Sequence, residues 1–188
     1  MLKAKSITKT MFQSTWRPTK QVNIEDTSSV INLRKWQGEA AELKFAADEK
    51  HFIVNVPTGG GKSKVICYIS LKRLEDNPDL KVVICVPQKS IGGGFADRSE
   101  YALSSNVWMV EHSNNLCTGK EDQKVSRLKE FLESSPIKTI RDRVIVCTHS
   151  TFAQTFSQIE NKDVLSNIDL WIDEAHHIAS SDMDCNNL

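Results

Sequence analysis

An α/β fold, with a three-layer arrangement of helices on both faces of a parallel sheet, is predicted by three features of the sequence. Short apolar runs at His51–Val56 and Lys81–Val86 suit buried strands, those at Arg143–Cys147 and Ile168–Ile172 also suit strands, and each ends on polar or turn-forming residues. Between them lie stretches with helical apolar spacing, and strands alternating with helices make βαβ units. The residues richest in chemistry follow the first and last of these runs, at strand carboxyl ends, where open sheets of this kind bind ligands.

Residues 1–30 are polar and aperiodic and read as a tail; residues 31–188 read as one domain. Trp36, Ala40, Leu43 and Ala47 recur at helical spacing and place an amphipathic helix over roughly 33–48. The strand His51–Val56 runs into glycines. Val65, Ile66, Ile69 and Leu74 then mark a helix that stops near Asn77 and Pro78. Lys81–Val86 is the next strand, ended by Pro87, and Gly92–Gly94 reads as a flexible connection. Asn106–Val110 is a further strand and 111–124 is loop-like. Val125, Leu128 and Leu132 place a helix near 120–134, stopped by Pro136. Arg143–Cys147, a short helix Thr151–Ile159 and the strand Ile168–Ile172 complete the series.

A chain of 188 residues buries one core, and 39% hydrophobic with 26% charged residues is ordinary for a globular protein. The net charge of zero argues against strong nonspecific attraction to a polyanion but leaves room for a local basic face. No apolar run is long enough to cross a membrane. The first 24 residues carry Lys3, Lys5, Lys9, Arg17 and Lys20 with no acid, which reads as a solvated basic tail ahead of a transit-peptide-like segment or an arm that touches phosphates. Five cysteines lie far apart without a CxxC pair, which fits reduced thiols in the cytoplasm and neither a zinc site nor a disulfide framework.

Pro57, Thr58, Gly59, Gly60, Gly61, Lys62 and Ser63 occupy a strand-to-helix turn. A loop there can wrap its backbone N–H groups round phosphates, with the helix N-terminus adding positive potential. Lys62 would neutralise β- and γ-phosphates and Ser63 would ligate Mg2+, so ATP and Mg2+ are the expected cofactors. The strict pattern has glycine at position 56, where this chain has Val56. Asp173 and Glu174 emerge after Ile168–Ile172. Magnesium takes one or two carboxylates and otherwise keeps water and phosphate oxygens, a role for Asp173. Glu174 would polarise the attacking water.

Val56–Ser63 together with Trp171–Ile178 resembles motifs I and II of superfamily 2 helicases and translocases, in the DEAD/DEAH-box-like group that includes restriction-enzyme motor subunits. Three more segments follow in the right order: Leu33–Gln37 looks like the upstream adenine-reading segment, Val86–Ile91 resembles motif Ia, and Cys147–Phe152 resembles a later motif that touches the nucleic-acid backbone. The resemblance covers 33–178 and implies a P-loop NTPase, RecA-like first motor domain. It implies that Gln37 contacts adenine, that Pro87, Gln88, Lys89 and Thr148 face a phosphate backbone, and that His176 couples the nucleotide site to the strand or to a second domain. The partner it implies is nucleic acid, DNA ahead of RNA.

In that family a motif III strand lies between the strands carrying motifs I and II, and a second RecA-like domain supplies arginines. Neither follows Glu174 here, so the expectation is a domain incomplete at its C-terminus, truncated after motif II and weak or inactive alone, with a second chain as a possible source of the missing domain. Two other readings stay open: a P-loop ATPase or kinase not acting on nucleic acid, and a non-catalytic module that binds nucleotide or a partner.

Overall fold

The computed structural model describes residues 11–13, 33–46, 52–103, 106–118, 123–135 and 139–176. At its centre β3 (Lys81–Val86) lies between β6 (Val144–Thr148) and β7 (Ile168–Ile172), all parallel. Val82 sits opposite Val144 and Cys85 opposite Cys147 on one side; Lys81 sits opposite Ile168 and Cys85 opposite Ile172 on the other. The register brings the carboxyl ends of the three strands to one edge.

Side chains alternate across a strand, and this sheet has a core on each face. Val82, Ile84, Val86, Val144 and Val146 pack with α1 (Lys35–Ala46), α2 (Lys62–Asp76) and α3 (Lys89–Ala96). Val83, Cys85, Ile145 and Cys147 pack with Leu128, Phe131 and Leu132 of α4 (Lys124–Glu133), and Phe152 of α5 (His149–Gln158) lies against the same cluster. The three-layer α/β architecture is therefore present. Each large apolar side chain so buried contributes about 1.5–3 kcal/mol relative to leaving it in water.

Two buried cations close helix ends that would otherwise leave carbonyls without partners. Arg143 donates to Leu74 O at 2.8 Å, Asn77 O at 2.8 Å and Pro78 O at 3.1 Å beyond α2. Lys81 Nζ donates to Phe131 O and Ser134 O, both at 2.6 Å, at the end of α4. Desolvation lowers the pKa of each.

The structure departs from the sequence expectation in several places. Gly92–Gly94, expected as a flexible connection, lies inside α3. Asp97–Leu103, which carries no apolar run, forms β4 and pairs antiparallel with β5 (Asn106–Met109), so the strands are not all parallel. Trp108 pins this hairpin, buried and donating from Nε1 to Phe95 O at 2.7 Å. Met11–Gln13, within the expected tail, forms β1 and pairs in parallel with β2 (Ile53–Asn55). The rest of 1–30, the end of the expected 33–48 helix, His51, His177 and Cys185 lie outside the described residues.

Among the described residues β2 pairs with β1 and not with the three-stranded sheet. Leu170 and Ile172, on the face of β7 opposite Trp171, are 41% and 42% exposed. The four described cysteines are buried free thiols, and no helix among the described residues is long and apolar enough to cross a membrane.

Gly92 is where α3 comes closest to its neighbour: an added Cβ would lie 2.2 Å from Cys117 Sγ and 2.5 Å from Cys117 Cβ. At Gly93 a Cβ meets nothing within 4 Å. Gly92→Ala is expected to destabilise the chain by about 1–3 kcal/mol through overpacking. Gly93→Ala should stabilise it by about 0.5–1 kcal/mol through helix propensity. Urea unfolding of the two variants checks the contrast.

Candidate functional site

The turn between β2 and α2 has the backbone of a phosphate-cradling loop. Gly61, directly before α2, has φ 91° and, as a glycine, puts no capping side chain over the start of the helix. Its Cα faces Gln37, whose Nε2 would lie 2.6 Å from an added Cβ. Gly60 N–H donates to Pro57 O at 3.0 Å and closes the turn, while Pro57, Thr58 and Gly59 are exposed along its crest.

Two carbonyls of this loop are tied back to the N-terminal end of α1. Gln37 Nε2 donates to Gly61 O at 2.9 Å, and Arg34 Nη1 donates to Gly60 O at 3.0 Å. The Gln37 amide oxygen accepts from Arg34 N at 2.7 Å. In a trans peptide the C=O and N–H point opposite ways. Holding these carbonyls toward α1 therefore turns the N–H groups of Gly61 and Lys62 to the other side of the loop. Gln37, expected to contact adenine, is buried with both ends of its amide engaged inside the protein, and braces the loop. Arg34 was not singled out from the sequence. A lone arginine carries no signal, although its spacing of three residues from Gln37 places the two on one helix face.

On the other side of the site, Asp173 N–H donates to Cys85 O at 2.9 Å, carrying the β3–β7 pairing one residue further. Asp173 is buried and its carboxyl is pushed above the usual range, first by desolvation and then by the charge of Glu174, with Lys62 and His149 acting in the opposite sense. Glu174 has φ 51°, left-handed backbone that costs a residue with a Cβ about 1–2 kcal/mol. Lys62 Nζ lies 2.6 Å from Glu174 Oε1 and 3.4 Å from Val56 O. The two motifs, 112 residues apart in sequence, thus meet at one ion pair. Ser63 follows Lys62 in the first turn of α2 and is half-buried.

The remaining expected residues sit along the same sheet edge, and His176 reaches this pair. His176 is exposed, with Nδ1 3.5 Å from Glu174 Oε2. Pro87, Gln88 and Lys89 lead from β3 into α3, the last two exposed. Thr148 is buried and caps α5: its Oγ1 accepts from Thr151 N at 3.2 Å and lies 2.9 Å from Thr151 Oγ1. Its hydroxyl is used inside the protein. The residue after it, His149, places Nε2 3.0 Å from Asp173 O, a contact that sequence reasoning did not anticipate.

Residues 15–186 match the family described as type III restriction enzyme, res subunit. The chain belongs to that family. It is a superfamily 2 helicase-like N-terminal domain, and its parallel sheet with flanking helices is the RecA-like P-loop fold. The protein of Bacillus subtilis (strain 168) described as "Putative ATP-dependent helicase YeeB" is 34% identical over 150 residues, which are 79% of this chain and 23% of that protein. This res-subunit-family chain therefore spans about a quarter of that relative's length. No solved structure matches.

The environment of Asp173 sets a pH dependence. Because its pKa is raised in the fold, its contribution favours folding below the ordinary carboxylate pKa and is lost as pH rises through the raised one. Asp173→Asn removes a charge that the fold disfavours. The variant is expected to have a higher Tm than the parent at neutral pH. Thermal melts from acid to neutral pH should show that advantage shrinking as Asp173 becomes protonated.

Proposed function

We propose that this chain is the ATP-binding part of a nucleic-acid-dependent helicase or translocase that couples Mg-ATP hydrolysis to movement on DNA, with RNA the less favoured track. The observation that carries the reading is the ion pair between Lys62, at the start of α2, and Glu174, after β7. A lysine and an acid at the edge of one parallel sheet, beside a glycine turn that leads into a helix N-terminus, suit a nucleoside triphosphate.

In this reading Pro57–Gly61 wraps the phosphates and Lys62 exchanges Glu174 for phosphate oxygens. Glu174, once released, orients and polarises the attacking water. Ser63 and Asp173 would hold Mg2+, which supplies positive charge where negative charge develops on the transferring phosphoryl group. Among the described residues no group of three or more His, Cys, Asp or Glu side chains gathers round one point. Asp173, buried and with its carboxyl pushed up by desolvation and by Glu174, would gain from a bound cation. Gln37 and Arg34 hold the loop in its binding shape. Gln88 and Lys89 present the exposed start of α3 to a phosphate backbone, Pro87 and Thr148 shape its approach, and His176 relays the state of Glu174.

Hydrolysis of radiolabelled ATP under single-turnover conditions, with and without DNA or RNA, tests the proposal. The expected result is Mg2+-dependent hydrolysis that rises with DNA, and a loss of about 10²–10³-fold in Glu174→Gln with nucleotide still bound. Hydrolysis indifferent to any nucleic acid would instead select a P-loop ATPase working on another substrate.

A further inference from the structure

His149 is the first residue of α5 and Asp173 is the first residue after β7, yet the two are joined. Imidazole Nε2 lies 3.0 Å from Asp173 O, and the carbonyl can only accept, so Nε2 carries the proton and donates. The N–H of the same Asp173 donates to Cys85 O at the end of β3. The main chain at Asp173 is therefore gripped from both sides, by β3 through its amide and by α5 through its carbonyl.

The gripped carbonyl belongs to the peptide that joins Asp173 to Glu174. Fixing that peptide plane sets where the Asp173 carboxyl stands and where the chain leaves toward Glu174. Glu174 then sits at φ 51°, a backbone state that persists only where the surroundings over-determine it. Cys85 O, His149 Nε2 and Lys62 Nζ are three such restraints, and of these only His149 comes from the helix whose N-terminus adjoins the sheet edge at Thr148. The imidazole is half-buried, so water competes only in part for the carbonyl.

We propose that His149 is a positioning residue for the acidic pair: its Nε2–H bond to the Asp173 carbonyl holds Asp173 in place for the metal and ties that placement to the start of α5. This rests on the Mg-ATP reading given above. His149 touches neither reacting atoms nor metal; it acts through Asp173. Residues that orient a metal ligand in this way change metal affinity by about 10–100-fold when lost.

The test is the affinity of the whole chain for ATP, measured with Mg2+ and with EDTA, for the parent chain, His149→Ala, His149→Gln, Asp173→Ala and Lys62→Ala. In the parent chain Mg2+ tightens binding. His149→Ala is expected to keep the EDTA affinity within about twofold and to lose about tenfold of the Mg2+-dependent tightening, as Asp173→Ala does. His149→Gln, whose amide can donate to the same carbonyl, should recover most of it. His149→Phe, which keeps the ring volume without the donor, should behave as His149→Ala does and serves if the alanine variant unfolds. Full tightening in His149→Ala or His149→Phe would overturn the proposal. So would equal losses in Gln and Phe, since that outcome makes the side chain a packing element only. A parent chain that binds no ATP under either condition would overturn the nucleotide reading first, and the role of His149 with it. Loss of binding in Lys62→Ala under both conditions shows that the assay reads the phosphate loop.

Discussion

Lys62 and Glu174 meet at 2.6 Å with only 20% and 24% of their side chains exposed, and much of the architecture is arranged around that contact. Helix α2 is fastened to the β7 segment at both ends. Lys62 at its start pairs with Glu174 after the strand, and Arg73 in its last turn makes a forked pair with Asp169 near the strand's beginning. From Lys62 to Arg73 a helix rises about 16 Å, and from Asp169 to Glu174 an extended chain spans about 16 Å. The two elements match in length and run in opposite directions, which suits a clamp with two fixings. It also explains how the β2 loop can hold its place against the central sheet although β2 pairs with β1.

A half-buried ion pair of this kind is not a large source of stability, because desolvating both charges offsets most of their attraction. Its significance lies in what can replace it. The lysine is satisfied by Glu174 and by the Val56 carbonyl, both of which a phosphate group can outcompete with more charge and more acceptor oxygens. Meanwhile Asp173, buried beside Glu174 and with a raised pKa, is a carboxylate that gains from a nearby cation. On the proposed reading, both sides of the site would gain from a metal-bound triphosphate.

Much of this was legible in the sequence, for particular reasons. Strands β3 and β6 are continuous apolar runs, as burial between two helical layers requires, while β7 is apolar except at Asp169 and only partly buried. The phosphate loop and the acidic pair are local strings, so Lys62 and Glu174 could be named before their meeting was seen. Strand β4 was not legible, because Asp97–Glu100 breaks any apolar alternation and the hairpin depends on Trp108 reaching Phe95 O. Helix α3 was hidden by its three glycines, whose low helix propensity is overridden at Gly92 by packing on Cys117. Arg34 and His149 were invisible because each acts through one tertiary bond to a backbone carbonyl. Gln37 was singled out as an adenine contact; its amide nitrogen donates to Gly61 O and braces the loop.

The most direct test of the central claim, that Lys62 is held by Glu174 in readiness for phosphates, is calorimetric titration of Mg-ATP into the chain, into Lys62→Ala and into Glu174→Gln. The account predicts binding by the parent chain, loss of about tenfold or more in Lys62→Ala, and binding at least as tight in Glu174→Gln, where the ammonium no longer has to leave a carboxylate. Unchanged affinity in Lys62→Ala would contradict it, because the glycine turn would then be binding without the side chain around which the site is built.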